Sequence, residues 1–236
     1  MVTRALGLFF TACFLTLPGV AQQYDLLLKG GRVLDVKNNL DRALDVAMAG
    51  GKIARVAPNI PSAEAKRTVN VSGMYVTPGL VDIHVHVYAG TGRRNAYNGD
   101  NSVYPDEFSF REGVTTVVDV GSSGWRDFPD FKDRVIDRSR TRVLAMLNIV
   151  GSGMGGGAVE QNTEDMDPEA TARRAGEFPE IIVGIKTAHF AGPEWTAVER
   201  CSGSWQAGQA AGDGRFRRLP PGTPLPTTGA AETAPW

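Results

Sequence analysis

The sequence predicts an α/β protein, a small β-domain followed by parallel β-α units of the barrel kind. Three observations carry the prediction. Short strand-like runs separated by Gly-Gly pairs fill residues 24–76. Strand-like and helix-like runs alternate from Pro78 to Arg200. Between them lies Gly79-Leu80-Val81-Asp82-Ile83-His84-Val85-His86-Val87, which holds two of the chain's three histidines at alternate positions. Residues two apart in an extended strand face the same way, so both imidazoles present to one side. Two neutral imidazoles make half of a transition-metal site; half-buried histidines in an ordinary strand are the bland alternative.

The chain has 236 residues, 42% hydrophobic and 22% charged, with a formal net charge of −1. That leaves room for one large domain or two small ones. The near-neutral balance and the lack of a lysine-rich block argue against a nucleic-acid surface. Residues 1–21 read as a secretory signal peptide: Arg4 supplies the positive start, Leu6 to Leu17 the apolar stretch, and Gly19-Val20-Ala21 the small-residue cleavage site. The expected location is therefore exported, periplasmic or secreted, with no stable membrane insertion after cleavage. An uncleaved anchor is the alternative. Of two cysteines, Cys13 lies in the leader, so a mature chain keeps Cys201 alone and forms no internal disulfide.

The β-domain, residues 22–77, begins with a strand over Asp25–Lys29, a turn at Gly30-Gly31 and a strand over Arg32–Val36. Asp45–Met48 and Lys52–Ala57 flank Gly50-Gly51, a hairpin signal. Thr68–Val71 and Met74–Val76 complete the set.

The second region, residues 78–200, opens with a strand over Leu80–Val87 and a polar loop to Tyr104. A short helix over Pro105–Glu112 stops at Gly113, and a β-branched strand covers Val114–Val120. Phe128, Phe131, Val135 and Ile136 are spaced as one face of a helix over Trp125–Ser139. Arg142–Val150 is a strand; Asp167-Pro168-Glu169 opens a helix, with Asp at the cap and Pro in the first turn. A strand over Ile181–Ala188 and a helix from Pro193 follow. Right-handed crossovers of such units give a doubly wound sheet or a barrel. His-X-His at a strand end favours the barrel, whose chemistry sits at the carboxyl ends of its strands.

Residues 201–236 are rich in Gly, Pro, Ala and Thr, show no period, and are expected to stop the helix just begun and form a disordered tail. A frameshift is the second reading. Back-translated from Arg200 and read one nucleotide forward, synonymous codons yield a continuing helix, a proline and an apolar strand. On that reading the natural protein is longer.

The signature Pro78-Gly79-Leu80-Val81-Asp82-Ile83-His84-Val85-His86, together with Gly184-Ile185-Lys186-Thr187-Ala188-His189, resembles the amidohydrolase superfamily of metal-dependent hydrolases. The resemblance runs over about residues 24–200 and is nearest the amidohydrolase/deacetylase branch, related to dihydroorotase and D-aminoacylase. It implies the N-terminal part of a (β/α)8 TIM-type barrel with two divalent metal ions, usually Zn2+. It implies that His84 and His86 are metal ligands and that Lys186 is carbamylated to bridge the metals. An amine in an apolar strand loses its proton more readily and can then capture carbon dioxide. A lysine snorkelling at a strand end is the alternative.

Asp82 shares the face of His84 and His86; it either orients an imidazole or approaches the metal, or is a buried structural carboxylate. His189 falls beyond the strand, as a substrate contact at the rim or a plain loop histidine. Asp119 and Asn148 are pocket candidates by position at strand ends. Arg93 or Arg94 meets a substrate carboxylate or belongs to a solvated loop. The glycine run 151–157 lacks the Lys-Ser/Thr of a phosphate-binding loop and fits a flexible loop better.

The resemblance further implies hydrolysis of an amide or ester bond of a small N-acyl or O-acyl compound by a metal-bridging hydroxide. Cyclic-amide hydrolysis of the dihydroorotase kind is the second choice. The general-base aspartate and two later histidines of the family have no matched position, so a non-catalytic, inactive and poorly soluble fragment is a third expectation.

Overall fold

The computed structural model describes residues 22–210. The signal peptide and residues 211–236 of the expected tail lie outside them. The chain divides after Pro78 into two compact units.

The first unit is a sheet of β1 (Leu26–Asp35), β2 (Leu40–Ala49), β3 (Lys52–Ala57), β4 (Thr68–Asn70) and β5 (Tyr75–Val76). The order is β3-β2-β1-β4, and β5 also pairs with β1. Gly50 and Gly51 both have positive φ, 57° and 72°, which suits a two-residue hairpin between β2 and β3. The turn expected at Gly30-Gly31 is absent. There β1 continues through a bulge, its register against β2 shifting between Leu28 and Gly31. The kink lets the Gly30 amide and the Lys29 ammonium reach the buried carboxylate of Asp45. Leu27, Ala47 and Ile60 form the core beside it.

The second unit is built on β6 (Leu80–Val85), β7 (Val114–Gly124), β8 (Arg142–Asn148) and β9 (Ile182–Lys186). All neighbours are parallel, in the order β6-β7-β8-β9. Among the described residues the order is consecutive with no reversal, as in a barrel; a doubly wound sheet has a switch point. Val85, Val117, Val143 and Leu147 from the strands meet Phe128 and Phe131 in one core. Burying each phenylalanine contributes roughly 1.5–3 kcal/mol.

Several elements differ from expectation. The helix expected over Trp125–Ser139 is α1 (Phe128–Arg134) plus one 3-10 turn at Ile136–Arg138. The one expected over Pro105–Glu112 is two 3-10 turns, ended as foreseen by left-handed Gly113. In α2 (Pro168–Glu177) the cap is as read: Asp167 Oδ1 accepts the amides of Glu169 and Ala170.

Helix α3 (Thr196–Ala210) does not stop at Arg200. Ala197, Ser204 and Gly208 are buried and Cys201 half-buried, a stripe at spacings of four, three and four. Composition hid this stripe because its residues are small rather than apolar. Cys201 is a free thiol, pushed up to about 12 by burial.

Candidate metal centre at the carboxyl end of the parallel sheet

Strand β6 ends at Val85, so His84 lies in the strand and His86 just beyond it. This corrects the expected strand to Val87. The cause is Asp119, which captures the Val87 amide at 2.8 Å in place of a ladder partner. The two imidazoles nonetheless stay close, with ring centroids 5.8 Å apart and planes at 81°. Asp82 reaches no imidazole; its Oδ1 accepts the backbone amide of His84 at 3.0 Å.

His86 is held by two contacts. Its Nδ1 is 2.9 Å from Ser122 Oγ, and its ring lies 4.4 Å from that of Tyr97. Burial pushes its pKa down to about 4, assisted by the positive charges of His84, Lys186 and His189. The ring is therefore neutral at ordinary pH and has a lone pair to offer.

Asp119 and Ser122 lie on β7, where Asp119 is fully buried. Its Oδ1 accepts the Ser122 amide at 2.8 Å, and the Ser122 side chain also bonds to it. Burial raises this carboxyl to about 6 against those hydrogen bonds. Between them, Gly121 has φ +91°, and a Cβ there would lie 2.8 Å from Cγ of Lys186. Asn148 Nδ2 donates to the Gly121 carbonyl at 3.1 Å. The irregular end of β7 thus braces His86 through Ser122 and abuts Lys186 through Gly121.

Lys186 ends β9 and is half-buried. Burial lowers its pKa, opposed by the charges of Glu160 and Asp119. That is the direction which favours a neutral, nucleophilic amine. His189 lies past the strand, its Nδ1 2.9 Å from Oε2 of buried Glu160.

Arg93 pairs with Asp127 at 3.0 Å instead of offering itself to a ligand. The glycine run packs closely: Gly153 (φ +71°) sits against the Ser122 carbonyl, and Gly156 donates its amide to Glu160. Both explain glycine without a phosphate.

Sequence reasoning missed Ser122, Tyr97 and Glu160. Ser122 had a signal, since Asp119-X-X-Ser122 closes a β-branched strand with a small-residue turn. Buried Glu160 had none. Among the described residues no three His, Cys, Asp or Glu side chains form a metal-holding group. The donors in place are two imidazoles and an amine driven towards its neutral form. In kind they fit a divalent ion whose lysine ligand is carbamylated.

Consecutive parallel strands with polar groups gathered at their carboxyl ends are the arrangement of a β/α barrel. No protein-family model matches the chain. A deacetylase of Agrobacterium fabrum is 33% identical over 146 residues, which are 60% of this chain and 34% of that protein. A solved adenine deaminase superposes with a TM-score of 0.66 at 28% identity, over 79% of this chain and 48% of its own. A solved dihydroorotase gives 0.60 at 25% identity, over 79% and 49%. The chain spans about a third of the curated relative and about half of each solved one. These likenesses support the amidohydrolase superfamily, and the second unit presents four consecutive parallel strands like those of a TIM-type barrel, following a small β-domain in the chain.

Proposed function

We propose that this chain carries part of the active site of an exported, metal-dependent amidohydrolase that cleaves the amide or ester bond of a small N-acyl or O-acyl compound. His84, His86 and Lys186, the last as its carbamate, would hold divalent ions of the zinc type. The observation that carries the reading is the Gly121–Ser122 stretch of β7, which meets Lys186 and His86 at once. A bound divalent ion supplies Lewis-acid polarisation of the scissile carbonyl and acidifies water.

The chain's own residues prepare for this. Ser122 accepts the Nδ1 proton of His86, which leaves Nε2 as the donor atom. Lys186, half-buried in an apolar strand, is disposed to react with carbon dioxide as the free amine. Tyr97 walls off one side of the His86 ring. The likeness to a dihydroorotase favours a second reading, opening of a cyclic amide.

The test is metal uptake together with 13C NMR after exposure to 13C-bicarbonate. The expected result is zinc-dependent growth of a carbamate signal, lost in Lys186→Ala. A signal that persists in that variant sinks the reading. With two imidazoles and Lys186 as the donors gathered there among the described residues, the 236-residue chain is expected to take up metal weakly. Turnover of acyl-amino acids and cyclic amides, with and without chelator, separates the two substrate classes; chelator-insensitive activity would defeat the metal mechanism.

A further inference from the structure

Past β9 the chain makes an arrangement that the proposed metal centre does not require. His189 has φ +56°, a left-handed conformation uncommon outside glycine, although histidine adopts it more readily than most residues. The neighbouring 3-10 segment, Gly157–Gln161, holds it there from three directions. Gln161 Nε2 donates to the His189 carbonyl at 2.7 Å, and its Oε1 accepts the Ala191 amide at 2.9 Å. Glu160, whose side chain is 1% exposed, sets Oε2 2.9 Å from His189 Nδ1 while its Oε1 accepts the Gly156 amide. The imidazole so held is itself 56% exposed.

A buried carboxylate is costly unless it is paired, and here its side-chain partner faces solvent. Strain and a buried charge together keep an accessible ring in one orientation. Local strain of this kind gathers where a ligand is gripped.

Two further features give the ring something to grip. Tyr97 stacks on His189 at 6.2 Å between centroids and meets the His86 ring at 4.4 Å with the planes tilted by 41°, so one aromatic side chain links the proposed centre to His189. His189 also lines a cleft of about 400 Å³, together with Thr187, Phe190, Pro193, Glu194, Trp195 and Val198. Trp195 leaves 64% of its surface exposed there. A cleft of this size, with apolar walls at Phe190 and Trp195 and an oriented imidazole beside the polar Thr187 and Glu194, suits a small ligand.

We propose that His189 and this cleft form a substrate subsite, in which the amide N–H of an N-acyl compound donates to His189 Nε2 and an apolar substituent enters against Phe190 and Trp195. Glu160 accepts the Nδ1 proton and is the positioning residue, since that bond leaves Nε2 as the acceptor. The subsite deepens the amidohydrolase reading and rests on the neighbouring centre being the reacting one. It selects amides over esters and apolar over small acyl-amino acids.

The test uses the full chain with 15N-labelled histidine, titrated by NMR with three probes. N-acetylphenylalanine is expected to bind at least about ten-fold tighter than N-acetylglycine, the gain from burying one aromatic side chain. O-acetylphenyllactate, which lacks the N–H, is expected to bind about ten-fold more weakly than its amide counterpart and to leave the His189 Nε2 resonance unmoved. Trp195→Ser is expected to abolish the first preference and His189→Ala the second. Glu160→Ala is expected to mix the His189 tautomers and weaken both amide probes. Equal binding of the three probes, no binding at all, or preferences that survive these variants would overturn the subsite. Zinc added to the same samples reads the His84 and His86 resonances separately. Probe selectivity without zinc uptake overturns the metal reading alone, and zinc uptake without selectivity overturns the subsite alone.

Discussion

Ser122 Oγ lies 2.9 Å from Nδ1 of His86, and the same serine is tied by amide and side chain to the buried carboxylate of Asp119. The chain runs imidazole, hydroxyl, carboxylate. Such a chain fixes which ring nitrogen is protonated and how the ring is turned, and metal-binding histidines depend on both.

Ser122→Ala is therefore expected to lower zinc affinity about 10- to 100-fold, as loss of an outer hydrogen-bond partner does elsewhere. Competition against a chromophoric chelator measures it. Ser123 is the matched control, equally buried but with a hydroxyl that makes no hydrogen bond. Ser123→Ala should leave the affinity unchanged. Equal effects from the two variants would mean that packing, not the bond to His86, decides.

Gly121 carries two constraints at once. Its φ of +91° strains any L side chain, and a Cβ would stand 2.8 Å from Lys186 Cγ and 3.1 Å from Lys186 Cβ. Gly121→Ala should destabilise the fold by about 1–3 kcal/mol and displace Lys186. Thermal denaturation gives the first effect, and loss of the 13C carbamate signal the second. Gly157, also at positive φ but with nothing within 4 Å of a Cβ, isolates the backbone part. If Gly157→Ala costs as much as Gly121→Ala, the close approach to Lys186 contributes nothing.

In the first unit Asp45 is the residue whose protonation stability should follow. Burial pushes its carboxyl up, but bonds from the Gly30 amide, the Lys29 ammonium and the Ile60 amide outweigh that and hold it below the ordinary range. With a depressed folded pKa, its contribution is fully present above the unfolded value of about 3.9 and is lost as pH falls through the folded one. Asp45→Asn should lower stability at pH 7 by about 1–3 kcal/mol and flatten the acid limb below pH ~4. Urea midpoints at pH 7 and at intervals below 4 check both. An unchanged acid limb would assign the acid sensitivity to other carboxylates.

The sequence carried the parallel units, their order along the chain and the placing of His84, His86 and Lys186 at strand ends. Periodicity and signature residues are local, and one chain suffices to read them. Three things were not legible. Whether His86 belongs to the strand depends on Asp119 of another strand capturing the next amide. The length of α3 depends on which small residues meet a neighbour, because Ser204 and Gly208 carry no hydrophobic signal. Glu160 reads as a surface residue until Gly156 and His189 are folded around it. Each is a property of two segments meeting, which a pattern within one segment cannot encode.

Strand β6 is an edge of its sheet among the described residues, and its apolar side chains are uncovered: Leu80 is 56% exposed, Val81 56% and Ile83 71%. An edge strand with an exposed apolar face is a template for pairing with another chain. Val81 and Ile83 share one face of the strand, opposite Asp82 and His84, so a charge there need not disturb the histidines. Ile83→Lys is expected to raise the soluble fraction several-fold and cut light scattering, with little change in melting temperature because so little burial is lost. Val85→Lys tests the contrast: Val85 is 9% exposed within the core, and a lysine there should unfold the unit. If Ile83→Lys leaves scattering unchanged while Val85→Lys unfolds the chain, association runs through some surface other than this edge.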